Sequence, residues 1–173
     1  RGLGFAIARA LAEAGATVSV ATWPPLLKLF KMMLARGTHD EALLLRNGTK
    51  LELAAIHPFD AEFDRLEDVP PEVRDHRRYK DAGDFTIAGL AAAVAASGGV
   101  DIVVHSLANA PEVNKPLVET SRAGYLAAVS PRADSPVELV HQLDPTLLPA
   151  RSLLTQSPPA AGAAALWLTR RRN

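Results

Sequence analysis

With 173 residues, 48% of them apolar and 22% charged, the chain is long enough for one globular domain with a sizeable core. Nineteen basic and nineteen acidic residues cancel to zero, which gives no support to a nucleic-acid or membrane-surface role. Cysteine is absent, so disulfides, thiolate metal sites and a cysteine nucleophile are excluded, and no apolar run approaches the roughly 20 residues that span a bilayer.

The chain begins at Arg1 within a glycine-rich turn, Gly2-Leu3-Gly4, that leads into an apolar-periodic helix with Ile7, Leu11 and Ala14 on one face. Gly15 is the expected stop, and Ala16 to Thr22 alternates like a strand. Loop, helix and strand in this order form the second half of a nucleotide-binding βαβ unit. There, glycines let backbone amides approach a pyrophosphate at the helix N-terminus. The first strand of such a unit is expected before Arg1, so the sequence reads as a fragment. A dinucleotide fingerprint places an acid about 20 residues after the glycines. Here Trp23 stands 19 positions after Gly4, in the rigid turn Thr22-Trp23-Pro24-Pro25. No arginine adjoins it to hold a 2′-phosphate, which favours NADH over NADPH.

Leu26 to Leu34 is expected as an amphipathic helix, Asn47-Gly48 as a hairpin turn, and Leu51 to Ile56 as the next strand. Phe59-Asp60-Ala61 follows that strand. No second acidic or histidine cluster with ligand spacing accompanies its acid, so no metal site is expected. Asp64 to Asp84 reads as a charged surface loop with one short helix, and a helix starting at Phe85 leads to the strand Val100 to Val104. That strand exits through Ser106-Leu107-Ala108-Asn109-Ala110, small residues of the kind that let a flat ligand approach the backbone at the carboxyl end of a parallel sheet. Leu117 to Ser130 is expected as a long helix, interrupted by Pro131 and Pro136 and continued by Val137 to Leu143. Arg151 to Thr155 reads as a further strand. Gln156 to Asn173 reads as a low-complexity tail outside the domain, ending in a solvated basic run.

The run Val104 to Ser130, VHSLANAPEVNKPLVETSRAGYLAAVS, resembles the NADH-dependent enoyl-acyl carrier protein reductases of fatty-acid synthesis. It is most similar to the plastid type of plants and apicomplexan parasites. The likeness extends from Arg1 to about Leu153. It implies an α/β fold, a Rossmann-like doubly wound parallel sheet of the short-chain dehydrogenase/reductase type. Residues 1–155 would be a partial NAD-binding domain, incomplete at both ends.

The resemblance also implies the site. Gly2, Leu3 and Gly4 would face the pyrophosphate, Trp23 would stack on adenine, and Phe59, Asp60 and Ala61 would hold the adenine edge, Asp60 accepting from the exocyclic amine. Ser106, Leu107 and Ala108 would follow the nicotinamide-side ribose, with Asn109 and Val113 nearer an acyl pocket. The implied cofactor is NADH, the substrate an enoyl thioester on acyl carrier protein, the complete assembly a homotetramer and the compartment a plastid. The family's catalytic tyrosine and lysine would lie beyond the strand ending at Thr155. No tyrosine follows Tyr125 and no lysine follows Lys115, so no catalytic residue is assigned.

Overall fold

The computed structural model describes residues 3–37, 40–107, 111–112, 114–133, 135–143, 147–155 and 165–171. Helix α1 spans Leu3–Glu13 and ends where Gly15 takes a positive φ of 89°, a left-handed stop that a side chain would oppose. Strand β1, Ala16–Thr22, follows as expected. Helix α2 runs over Pro24–Ala35, with its prolines in the first turn, where the missing N–H groups cost nothing. A short α3, Asp40–Leu43, leads into the Asn47-Gly48 turn. There the Leu45 amide donates to the Thr49 carbonyl, and the Asn47 side chain accepts from the Thr49 amide. Strand β2 covers Leu53–Pro58, two residues later than the apolar run suggests, because the Leu51 amide is committed to the Leu43 carbonyl.

The charged segment beyond β2 holds a 3-10 turn at Leu66–Asp68 and α4, Pro71–Arg74. Helix α5, Ile87–Ala96, is capped by Thr86, whose hydroxyl accepts from the Gly89 amide. Strand β3, Val100–Ser106, extends the expected strand by two residues. The long helix expected from Leu117 begins later. Pro116 opens a 3-10 turn at Leu117–Glu119, and α6 spans Arg122–Ala133, with the Ser121 hydroxyl accepting from the Gly124 amide. Pro131 does not end the helix but lies within its last turn. Helix α7 is Ser135–Leu143, and β4 is Leu147–Thr155, longer at its start than expected.

The sheet order is β2-β1-β5-β3-β4, where β5 is Ala165–Arg171. Strands β1 and β2 pair in parallel, as do β3 and β4. Strand β5 lies between the two pairs and runs antiparallel to both β1 and β3. The parallel sheet therefore holds for β1 to β4, and the expectation of a tail outside the domain is corrected at 165–171. Ala165-Leu166-Trp167-Leu168-Thr169 includes the β-formers Trp and Thr, masked in the sequence by the Pro- and Ala-rich residues before it. In a doubly wound sheet of order 3-2-1-4-5-6, the place between strands 2 and 4 belongs to strand 1. Strand β5 fills that place with reversed direction.

Both faces of the sheet are covered, as parallel strands require. On one face Val18, Val20 and Val104 pack with Ala8 of α1, Phe30 of α2 and Leu43 of α3. On the other, Ala21, Val100 and Val103 pack with Ile87, Leu90 and Val94 of α5 and Leu139 and Leu143 of α7. Full burial of such side chains contributes about 1.5–3 kcal/mol each. Among the described residues no helix is long and apolar enough to cross a membrane.

Two outcomes are expected. In β5, Leu168 pairs with Ser19 on one side and Val103 on the other. Leu168→Pro removes a central-strand N–H and should abolish the cooperative far-ultraviolet circular dichroism melt. An unchanged melt would place β5 outside the sheet. The second concerns pH. His105 of β3 is 2% exposed, and burial pushes its pKa down to about 4. His57 is lowered as well, by burial and then by the charge of Lys31. Both imidazoles are neutral in the fold but protonate near pH 6.5 once unfolded. Their contribution is complete above that pH; that of His105, on the order of 3 kcal/mol, is lost as pH falls towards 4, and that of His57 is lost as pH falls below the ordinary histidine range. The melting temperature should decline across this window, and His105→Gln should flatten the decline; an equal slope in the variant would exclude His105 as its source.

Candidate functional site

The carboxyl ends of three strands are level. Thr22 of β1 pairs with Pro58 of β2, and Ala165 of β5 pairs with both Thr22 and Ser106 of β3. With strands about 4.8 Å apart, Thr22 and Ser106 stand about 10 Å from each other across β5. Trp23, Phe59, Asp60 and Leu107 are the next residues out from these ends, so one sheet edge gathers residues far apart in sequence.

Trp23 is 38% exposed, held between β1 and the prolines of α2, with its carbonyl accepting from the Leu26 amide. Its indole Nε1 donates to Asp60 Oδ2 at 2.9 Å. Asp60 is buried and clipped by its own amide to the Phe85 carbonyl at 2.7 Å, while the neighbouring Phe59 amide donates to the Thr22 carbonyl at 2.8 Å. A third member of the cluster was not assigned from the sequence. The Tyr79 hydroxyl donates to the same Asp60 Oδ2 at 2.9 Å. Its ring meets Phe85 edge to face at 5.0 Å and the Trp23 ring at 6.5 Å. Burial, then the Asp60 charge, raises the Tyr79 pKa far above its ordinary value, so the hydroxyl remains a donor. The segment read as surface loop thus folds its one tyrosine into the site. Its only sequence signal is an aromatic residue in an otherwise polar stretch.

Phe59 is 3% exposed and belongs to the core with Ala21 and Ile87, while Ala61 packs at its margin. Ser106 and Leu107 are buried at the end of β3. Gly4 lies at the start of α1, next to Leu3, whose backbone opens the helix. Gly2, Ala108, Asn109 and Val113 lie outside the described residues. Among the described residues no group of His, Asp or Glu is arranged to hold a metal.

Beyond β3, Glu112 joins Lys115 to the start of α6. Its carboxylate accepts from Lys115 Nζ at 2.6 Å and from the Ser121 amide at 2.7 Å, at the N-terminus of α6. These bonds, the one from Lys115 foremost, hold its pKa below the ordinary glutamate value. The carboxylate lies so close to Gly124 that a Cβ there would displace it.

The residues present suit the adenosine half of a dinucleotide. A partly exposed indole offers a face for a flat base, and the carboxylate beside it offers an acceptor for an exocyclic amine. Asp60 has about four acceptor sites on its two oxygens. Oδ2 takes Trp23 and Tyr79, and Oδ1 takes the Glu62 amide at 3.2 Å, which leaves one.

No protein-family model matches the chain. It is 46% identical over 149 residues to the chloroplastic enoyl-[acyl-carrier-protein] reductase [NADH] 1 of Oryza sativa, covering 86% of this chain and 40% of that protein. It is 45% identical over 149 residues to the chloroplastic enzyme of Arabidopsis thaliana, covering 86% of this chain and 38% of the relative. Among solved structures it matches the Plasmodium berghei enoyl-acyl-carrier-protein reductase crystallised with triclosan. The TM-score is 0.82 at 29% identity, over 89% of this chain and 54% of that one. The Aquifex aeolicus NADH-dependent reductase shares the fold, with a TM-score of 0.55 at 23% identity, over 86% of this chain and 47% of that one. The chain spans about two fifths of the length of the plant proteins it matches. The resemblance carried by Val104 to Ser130 is thereby borne out: over most of its length the chain is homologous to the NADH-dependent enoyl-acyl carrier protein reductases of chloroplasts.

Proposed function

We propose that Trp23, Asp60 and Ala61 hold the adenine of NADH, and that the protein containing these residues reduces trans-2-enoyl thioesters on acyl carrier protein. A plastid location belongs to the same proposal, on the strength of the chloroplastic relatives, and a homotetrameric assembly belongs to it through the family resemblance alone. The observation that carries it is the partly exposed Trp23 ring bonded to Asp60 at the carboxyl edge of parallel strands. Ligands of open α/β sheets bind at that edge.

When bound, NADH supplies a hydride to the β-carbon of the enoyl group. The residues of this chain bind and orient. Trp23 supplies stacking area, Asp60 an acceptor that distinguishes an amine from a carbonyl, and Gly4 close access to the first turn of α1. Ser106, Leu107 and Ala108 would carry the nicotinamide-side ribose, with Gly2 and Leu3 at the pyrophosphate and Asn109 and Val113 towards the acyl chain. Charge developing on the thioester oxygen calls for preorganised donors, a tyrosine hydroxyl with a lysine that also fixes the ribose. Tyr125, which lies on α6 and is 58% exposed, is not assigned as that donor.

Trp23→Ala should weaken NADH binding by about 1–3 kcal/mol, the range for base–aromatic stacking, as read by isothermal titration calorimetry. Unchanged affinity in a folded variant would remove Trp23 from the site. The 173 residues alone should not consume NADH when given a crotonyl thioester, since no tyrosine follows Tyr125 and no lysine follows Lys115. Protein-proportional loss of absorbance at 340 nm would show that other groups of this chain stabilise the enolate.

A further inference from the structure

We infer that Tyr79 is a positioning residue of the adenine pocket, orienting Asp60 and the Trp23 ring for the base. The inference rests on the adenine reading of Trp23 and Asp60 above and assigns a role to a residue outside that reading. Its ground is the shared oxygen. Trp23 Nε1 and the Tyr79 hydroxyl both donate to Asp60 Oδ2, each at 2.9 Å, so the two aromatic side chains saturate one carboxylate oxygen from different sides. With Oδ2 fixed, rotation of the carboxylate about its last bond is blocked. The remaining acceptor site then stays on Oδ1, the oxygen that also takes the Glu62 amide at 3.2 Å. A carboxylate held by one donor fewer would swing and present either edge, and discrimination between base edges would fall with it.

Tyr79 is itself held. Its amide donates to the His76 carbonyl at 2.8 Å and its carbonyl accepts from the Ala82 amide at 2.8 Å, a compact turn around the ring. Two residues on, Asp81 accepts from Lys28 of α2 at 3.1 Å, tying the segment to the helix that begins beside Trp23. The ring rests on Phe85, whose carbonyl accepts the Asp60 amide. The segment between β2 and α5 thus acts on the pocket through one hydroxyl. Tyr79 touches no reacting atom in this arrangement, and its effect runs through Asp60 and Trp23.

The test uses base discrimination, which a merely structural tyrosine would not alter. NADH and its hypoxanthine analogue, in which a carbonyl replaces the adenine amine, are titrated into the 173-residue protein and its Tyr79→Phe variant. The wild type should prefer NADH. Tyr79→Phe should weaken NADH by about 3- to 10-fold, the net value of one hydrogen bond, and bring the ratio of the two affinities towards one. An unchanged ratio in the variant, while Trp23→Ala still weakens NADH, overturns the role of Tyr79 and leaves the adenine reading standing. Loss of effect in both variants overturns both.

A second arm does not depend on Tyr79→Phe folding. The chain has two tyrosines, Tyr79 and Tyr125. With ring-carbon-labelled tyrosine in the wild type, and Tyr125→Phe for assignment, saturating 5′-AMP should move the Tyr79 resonance and leave that of Tyr125 in place. A stationary Tyr79 signal at saturation overturns the inference.

Discussion

The inner edges of β1 and β3 carry backbone N–H and C=O groups within a sheet covered on both faces, where an unpaired group costs about as much as a lost hydrogen bond. Strands β1 and β3 do not pair with each other, and β5 bonds to both over Ala165–Arg171 and Ala165–Thr169 respectively. The sheet is one object because that strand joins its two parallel halves. The level of the strand ends follows from the same pairing, since Ala165 is in register with both Thr22 and Ser106. The position of Trp23 relative to Leu107 therefore depends on a strand that carries neither.

The candidate site is layered along this edge. Its proposed adenine half is built from residues that also hold the fold. The Phe59 amide closes on β1, the Asp60 amide closes on Phe85, and the buried Phe59 ring anchors the turn from below. Only the outermost atoms, the Trp23 ring and one carboxylate edge, remain to meet a ligand. Around β3 the order differs. Ser106 and Leu107 are buried, and Glu112 joins Lys115 to the start of α6.

Strand β1 and helix α1 were legible because their signals are local: a period of two over Ala16 to Thr22, and a helical period closed by Gly15. Trp23 stands out in the sequence as a departure from a fingerprint that expects an acid, and the fold sets it at the end of β1 against Asp60. Strand β5 was not. Seven residues with only Trp167 and Thr169 as β-formers, after a Pro- and Ala-rich stretch, carry no mark of a partner, and the need for the strand arises from edges more than 50 residues away in sequence. Tyr79 escaped for a similar reason. Local composition placed it in a wet loop, and only the fold brings its hydroxyl to an aspartate 19 residues earlier. Helix α6 began later than its apolar pattern suggested because Pro116 and the Glu112 carboxylate, rather than periodicity, set its first turn.

The place of β5 in the sheet is at odds with its place in the chain. Synthesis from the N-terminus completes β1, β2 and β3 before any residue of β5 exists. For that interval, in the 173 residues taken by themselves, β1 and β3 present open edges seven residues long, flanked by apolar faces already supplied with helices. Non-local pairings of this kind close slowly, and open edges meanwhile are templates for other chains. A polysome would hold several such chains side by side, each with its open edges unpaired. Recovery of correctly folded protein should then depend on how quickly Ala165–Arg171 follows, a dependence on translation speed that the finished fold does not display.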